Sequence, residues 1–166
     1  MIKQTIEDSC NQFLSDIELK NNMLDLLSYL KELKMKPSWY HTNSYKCDYK
    51  GKRVIMINML VENQVLIRVL TTGSWHQGWY GDNGKLDNFL QNLPVEMKNE
   101  YMKSLIYCNN CTNCSPGYDI KLSGEVHKNL CAKSFAYCIG NPTSDQFEFV
   151  KKFVQARREY IINFAE

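Results

Sequence analysis

Charge of one sign is missing from this chain. Its 20 lysines and arginines stand against 18 aspartates and glutamates, a formal net charge of +2. So small a balance excludes a global electrostatic pull toward nucleic acid or an anionic membrane. Long apolar runs are missing as well. Stretches such as Val54–Ile57 and Val65–Ile67 fall far short of the ~20 apolar residues that a membrane-spanning helix needs. Glycine (8) and proline (4) are sparse, and there is no internal repeat or low-complexity tract. With 44% hydrophobic and 23% charged residues, the composition excludes disordered and collagen-like chains and is that of a globular protein. Catalytic signatures are also missing: there is no P-loop, dinucleotide fingerprint, H-E-x-x-H or G-x-S-x-G. His41, His76 and His127 lie in separate segments with no nucleophile motif beside them, and Glu62 and Glu96 fit a surface as well as a buried site. Finally, Met1–Leu14 carries acids and amides where a secretory signal has its apolar core. The expectation is a cytoplasmic protein with reduced thiols.

What the 166 residues do carry is one α+β domain, an antiparallel sheet packed against helices. Residues 1–36 read as N-terminal helices, because Met23, Leu26, Leu27, Leu30 and Leu33 recur at three- and four-residue steps. Ser15-x-x-Glu18 has the form of a capping box that splits them, and Pro37 ends them. Residues 44–107 read as sheet and helices. Tyr45, Cys47 and Tyr49 alternate with Lys46, Asp48 and Lys50, and Lys50-Gly51-Lys52 is a tight turn leading into Arg53–Leu60. Val65–Leu70, broken only by Arg68, reads as a central strand. Leu86, Phe89, Leu90 and Leu93 restore helical spacing, and after Pro94 a second helix runs toward residue 106. Strands are expected at Tyr118–Leu122 and Leu130–Tyr137 around a Ser123-Gly124 turn. A C-terminal helix at 143–165 opens on Thr143-x-x-Gln146, a second capping box. The Lys151-Lys152 and Arg157-Arg158 pairs read as its solvated side, offset by Glu148 and Glu159.

Seven cysteines are the unusual feature, and five of them fall within residues 108–138. Cys108-Asn-Asn-Cys111-Thr-Asn-Cys114 is two overlapping C-x2-C units, the spacing at which a tight turn points two sulfurs at one ion. Zinc takes four such ligands in a tetrahedron. The reading is structural zinc on Cys108, Cys111, Cys114 and Cys131, with Cys138 or His127 as alternates for the fourth ligand. An iron–sulfur cluster is the rival, but ferredoxin-type runs continue x3-C-P and this one does not. Thiol redox chemistry and inert packing are the remaining readings of the cluster. Cys10 and Cys47 stand alone on apolar faces and read as packing residues.

Gly73-Ser-Trp-His-Gln-Gly-Trp-Tyr-Gly81 is a second candidate site. Trp75, His76, Trp79 and Tyr80 supply flat contact area and an orienting polar group for a small molecule, a cationic or aromatic one suiting the two tryptophans. Covering an open sheet face is the alternative use of these rings, and Trp39-Tyr40-His41 has the same two readings.

The sheet region resembles a known family. Tyr45-x3-Tyr49-Lys-Gly-Lys-Arg-Val54, then Leu66-Ile-Arg-Val69, then Leu90-x2-Leu93-Pro-x-Glu-Met97 is similar to small bacterial α+β proteins of the GyrI-like ligand-binding superfamily. The resemblance covers roughly residues 44–107. It implies binding of a small, cationic or aromatic molecule between a curved antiparallel sheet and helices, in a stand-alone or regulatory protein. The cysteine-rich segment and the long N-terminal helical region depart from that pattern. The family's acidic pocket residue has no matching motif here. The expected function is therefore small-molecule binding, with no membrane or nucleic-acid partner. The alternatives are a small enzyme, a hydrolase using His76 or a thiol redox protein, and a zinc-dependent interaction module.

Overall fold

The computed structural model describes residues 4–71, 83–109 and 117–164. Two helices open the chain, α1 (Ile6–Phe13) and α2 (Ile17–Glu32). A capping box closes the first turn of α1, Thr5 and Asp8 each accepting the other's backbone N–H. The cap of α2 differs from the expected one. Asp16, not Ser15, accepts the Leu19 N–H, at 2.9 Å. The Ser15 hydroxyl donates instead to Glu62 at 3.0 Å and accepts from Asn63 at 2.8 Å. Glu62 is thus an exposed turn residue, and the turn it shares with Asn63 pins the link between the two helices.

Five strands build the main sheet: β1 (Ser38–His41), β2 (Ser44–Tyr49), β3 (Lys52–Val61), β4 (Gln64–Leu70) and β7 (Ala136–Gly140). The order is β1-β2-β3-β4-β7, with every neighbouring pair antiparallel. Lys50 (φ 48°) and Gly51 (φ 77°) make the β2–β3 turn. Both stand in the left-handed region that a two-residue hairpin of matching twist demands. β4 lies inside the sheet, as its apolar run suggests, while β1 and β7 form the edges.

Between β4 and β7 the chain makes α3 (Asn83–Gln91), α4 (Val95–Lys103) and a hairpin of β5 (Tyr118–Leu122) with β6 (Glu125–Leu130). The strand expected at Leu130–Tyr137 is divided. β6 ends at Leu130, Ala132–Phe135 form a 3-10 turn, and β7 begins at Ala136. Buried Ser134 explains the break: its hydroxyl accepts the Ile106 N–H at 2.9 Å and donates to the Ile106 carbonyl at 3.0 Å. α5 (Ser144–Asn163) closes the chain behind the expected Thr143–Gln146 capping box.

Alternation decides what each face of the sheet does. Cys47, Ile55, Val69 and Tyr137 stand opposite one another across four strands, as do Tyr45, Ile57, Ile67 and Ile139. This face carries the core, and α1 and α5 pack on it while α2 packs on both. Phe153 of α5 is fully buried there, stacked on Tyr137 with ring centroids 4.3 Å apart. Each such side chain contributes about 1.5–3 kcal/mol by leaving water. The reverse face carries Met56, Arg68 and Cys138 in one row and Asn58 and Leu66 in the next. Arg68 donates to Asn58 at 3.2 Å, and Asn58 donates in turn to Ser44. That explains why one arginine interrupts an otherwise apolar strand. Among the described residues no helix is long and apolar enough to cross a membrane.

Candidate metal centre

Two of the four expected ligands are described, and the fold brings them together. The segment Ile106–Cys108 runs antiparallel to Asn129–Cys131. Cys108 N–H donates to the Asn129 carbonyl at 2.7 Å, and Cys131 N–H donates to the Ile106 carbonyl at 2.7 Å. Tyr107 and Leu130 are therefore the non-hydrogen-bonded pair, and residues 106, 108, 129 and 131 share the other face. There Cys108 and Cys131 form a small buried cluster, with Ile106, Tyr118 and Ala132 packed against it.

Asn129 holds the base of this cluster. Its side-chain amide donates to the Cys108 carbonyl at 3.2 Å and accepts the Gly117 N–H at 3.1 Å. One side chain thus ties down the chain on both sides of residues 110–116. Its own backbone stands at φ 57°, where asparagine is among the few non-glycine residues found routinely. Asp119 accepts the Asn129 N–H at 3.0 Å and completes the clamp. Gly117 is constrained sterically. A Cβ there would lie 2.7 Å from the Cys108 Cβ and 2.7 Å from the Asn129 side-chain oxygen. Sequence reasoning found the cysteines but passed over Asn129, Gly117 and Asp119. The available signal was an asparagine just ahead of Cys131 and a glycine after Pro116.

Cys111 and Cys114 lie outside the described residues. Among the described residues, no three His, Cys, Asp or Glu side chains gather as a metal-holding group. Neither Cys138 nor His127 forms such a group with Cys108 and Cys131. Cys138 stands on β7 opposite Arg68. Burial raises its thiol pKa, against the pull of Arg68. His127 stands on β6 opposite Ile120. Cys10 and Cys47 are buried in the main core, and burial pushes both thiols up to about 12. They pack as small hydrophobes.

The aromatic candidates Trp75, His76, Trp79 and Tyr80 also lie outside the described residues. The point from which that segment departs is described. Thr71, fully buried, donates to the Phe135 carbonyl at 2.5 Å. Its own carbonyl accepts from Arg157 at 3.1 Å, and the Arg157 guanidinium lies 5.7 Å from the Tyr160 ring centre. Arg157 is 0% exposed, which corrects the expectation that it belongs to the solvated side of the helix. It falls four residues after Phe153 and three after Val154, in the middle of the apolar stripe. Of the other candidates, His41 and Glu96 are exposed. The Tyr40 ring receives Arg53, 4.9 Å from its centre, and Lys46 at 5.6 Å.

The chain matches no protein-family model, no curated protein and no solved structure.

Proposed function

We propose that this chain is a small-molecule-binding, regulatory α+β protein whose segment between Cys108 and Cys131 is tied down by structural zinc. The ligands are Cys108, Cys111, Cys114 and Cys131. The observation that carries this reading is the buried Cys108–Cys131 pair over the Asn129 clamp. Covalent geometry supports the other two ligands. Cys111 follows Cys108 by three residues, and Cys114 precedes Gly117, which abuts Cys108, by three. Three residues of chain span at most about 11 Å. Zinc on four thiolates supplies folding free energy and no open coordination position. The protein's own part is to hold the Cys108 and Cys131 sulfurs together in one buried cluster.

The site suits a structural role because the cluster at the sulfurs is small, Cys108 and Cys131 with Ile106, Tyr118 and Ala132 packed against them. The ligand pocket is assigned to Trp75, His76, Trp79 and Tyr80, beyond the end of β4, on the chemistry of the aromatic run and on the GyrI-like resemblance of residues 44–107.

Metal analysis of protein purified without added metal tests the first half. One zinc per chain with no visible absorption band is expected. A brown protein assigns iron instead, and a metal-free protein with a Cys108–Cys131 disulfide assigns thiol chemistry. A thermal-shift screen of cationic aromatic compounds tests the second half. No stabilising compound, together with tryptophan emission insensitive to all of them, removes the pocket.

A further inference from the structure

The outer edge of the main sheet, at β7, has a backbone pattern that the register defines. Asn141 N–H donates to the Val65 carbonyl at 2.8 Å, which makes residues 65 and 141 a hydrogen-bonded pair. The register continues through Leu66↔Gly140, Ile67↔Ile139 and Arg68↔Cys138. Hydrogen-bonded and non-hydrogen-bonded pairs alternate in an antiparallel ladder. The N–H and C=O groups of Ile139 therefore turn inward to β4, while those of Cys138 and Gly140 turn outward. β7 is the last strand of the sheet. Among the described residues, the outward backbone groups of Cys138 and Gly140 have no hydrogen-bond partner.

A groove of about 610 Å³ lies along this edge. β7 forms one wall through Cys138, Ile139 and Gly140. The end of α4 with Leu105 and Ile106, and the first turns of α5 with Phe149, form the others. Natural proteins block or cover an exposed edge because it invites another strand, and here the edge opens into a walled channel. We propose that the outer edge of β7 is a strand-addition site for an extended segment of a partner protein with basic side chains at alternate positions.

Three observations favour that occupant. The unpaired groups of Cys138 and Gly140 recur at the two-residue period of a strand, about 6.8 Å, and only an extended backbone matches donors and acceptors at that interval. The groove also carries two carboxylates, Glu100 and Asp145, against one ammonium, Lys103. Glu100 is largely buried, with 12% of its side chain exposed, and it accepts from the Tyr137 hydroxyl at 3.1 Å. Lys103 is 75% exposed and reaches Glu100 at 3.4 Å, so a competing cation in the groove displaces it easily. A second copy of this chain fits poorly, because each copy brings its own α4 end and α5 end to the same edge. A single extended segment brings no such obstacle.

The test uses the full chain and a fluorescein-labelled seven-residue peptide of alternating lysine and valine, followed by anisotropy. Saturable binding is expected, at least tenfold weaker when alternate peptide nitrogens facing β7 are methylated. Methylation removes the backbone donors and leaves every side chain in place, so this arm needs no protein variant. Gly140→Pro removes the outward N–H without touching the bonds to β4, and should lower affinity at least tenfold. Gly140→Ala keeps the N–H, meets nothing closer than the Val65 carbonyl at 4.0 Å, and should bind as the parent does. A peptide of alternating glutamate and valine should bind several-fold more weakly. The proposal is overturned if no binding saturates, or if the methylated peptide binds as tightly as the parent. Equal binding of the acidic peptide overturns the basic character of the partner.

Discussion

Cys47 and Cys131 are the same residue in two kinds of surroundings. Cys47 sits on β2, 1% exposed, facing a core that the main sheet shares with α1, α2 and α5. Its thiol packs as a methyl-sized group would, and burial holds it protonated. Cys131 sits 8% exposed at the end of a two-stranded hairpin, in a cluster whose other buried member, among the described residues, is Cys108. The first region is held by area removed from water. The second combines the directed bonds of the Asn129 clamp with the burial of Ile120, Leu122 and Leu130, which reach the main core. Where apolar area is abundant a cysteine is a hydrophobe. Two cysteines side by side in so small a cluster are, on the reading proposed above, ligands. Whether damage to one region leaves the other standing can be measured.

The largest effect is expected in the main core. Phe153→Ala removes a fully buried ring from between Tyr137 and Tyr101 and should cost about 3–5 kcal/mol in urea unfolding. Metal content per folded chain should stay constant. A parallel fall in metal content would show that the two regions are one cooperative unit. Gly117→Ala should act in the opposite place. Its Cβ overlaps Cys108 and Asn129, an overpacking of about 1–3 kcal/mol. Hydrogen exchange should quicken at Glu125–Cys131, while the urea midpoint read from the main sheet moves little. Asn129→Ala loses both clamp bonds and places alanine at φ 57°, a local cost of about 1–3 kcal/mol. Weaker zinc retention against a chelator is its expected signature.

A smaller effect separates the two helix-cap assignments. Asp16→Ala should cost about 1 kcal/mol of stability. Ser15→Ala should cost less than that, because its partners are side chains on the surface turn at Glu62 and Asn63. Near neutral pH the core thiols have no titration effect at all. Cys10 and Cys47 are raised from an ordinary 9.0 to about 12. The stability tied to their protonated state is fully present below pH 9 and is lost as pH rises through 12. A urea midpoint that falls across this alkaline window, with neither thiol reacting with a disulfide reagent at pH 8 until the chain unfolds, is the expected result.

How much was legible in the sequence follows the range of the interaction involved. The Lys50-Gly51 turn and the Thr143–Gln146 cap are decided within a few residues, and both are present as read. Ser15 misleads because the competitor for its hydroxyl comes from 47 and 48 residues away, in the β3–β4 turn. The strand over Leu130–Tyr137 fails for a similar reason, since Ser134 is held by Ile106 across 28 residues. Arg157 was legible in principle. Its place in the 3.6-residue stripe marks it as inward, and only its charge argued otherwise. Strand β1, with aromatic and polar residues in four positions, has too little alternation to be seen without its partner β2.

The cysteine cluster, the unusual feature of an otherwise ordinary composition, shows the same division. Local spacing is what proposes Cys108, Cys111 and Cys114 as a ligand set, since turn geometry acts over two or three residues. That Cys10 and Cys47 are packing residues also followed from their neighbours in the chain. Only the tertiary structure set Cys131 beside Cys108, left Cys138 and His127 apart from them, and supplied Asn129 as the clamp. Those outcomes depend on pairing Ile106–Cys108 with Asn129–Cys131 across more than 20 residues. Such pairing is decided by which backbone groups find partners when the whole chain packs, and no local pattern encodes it.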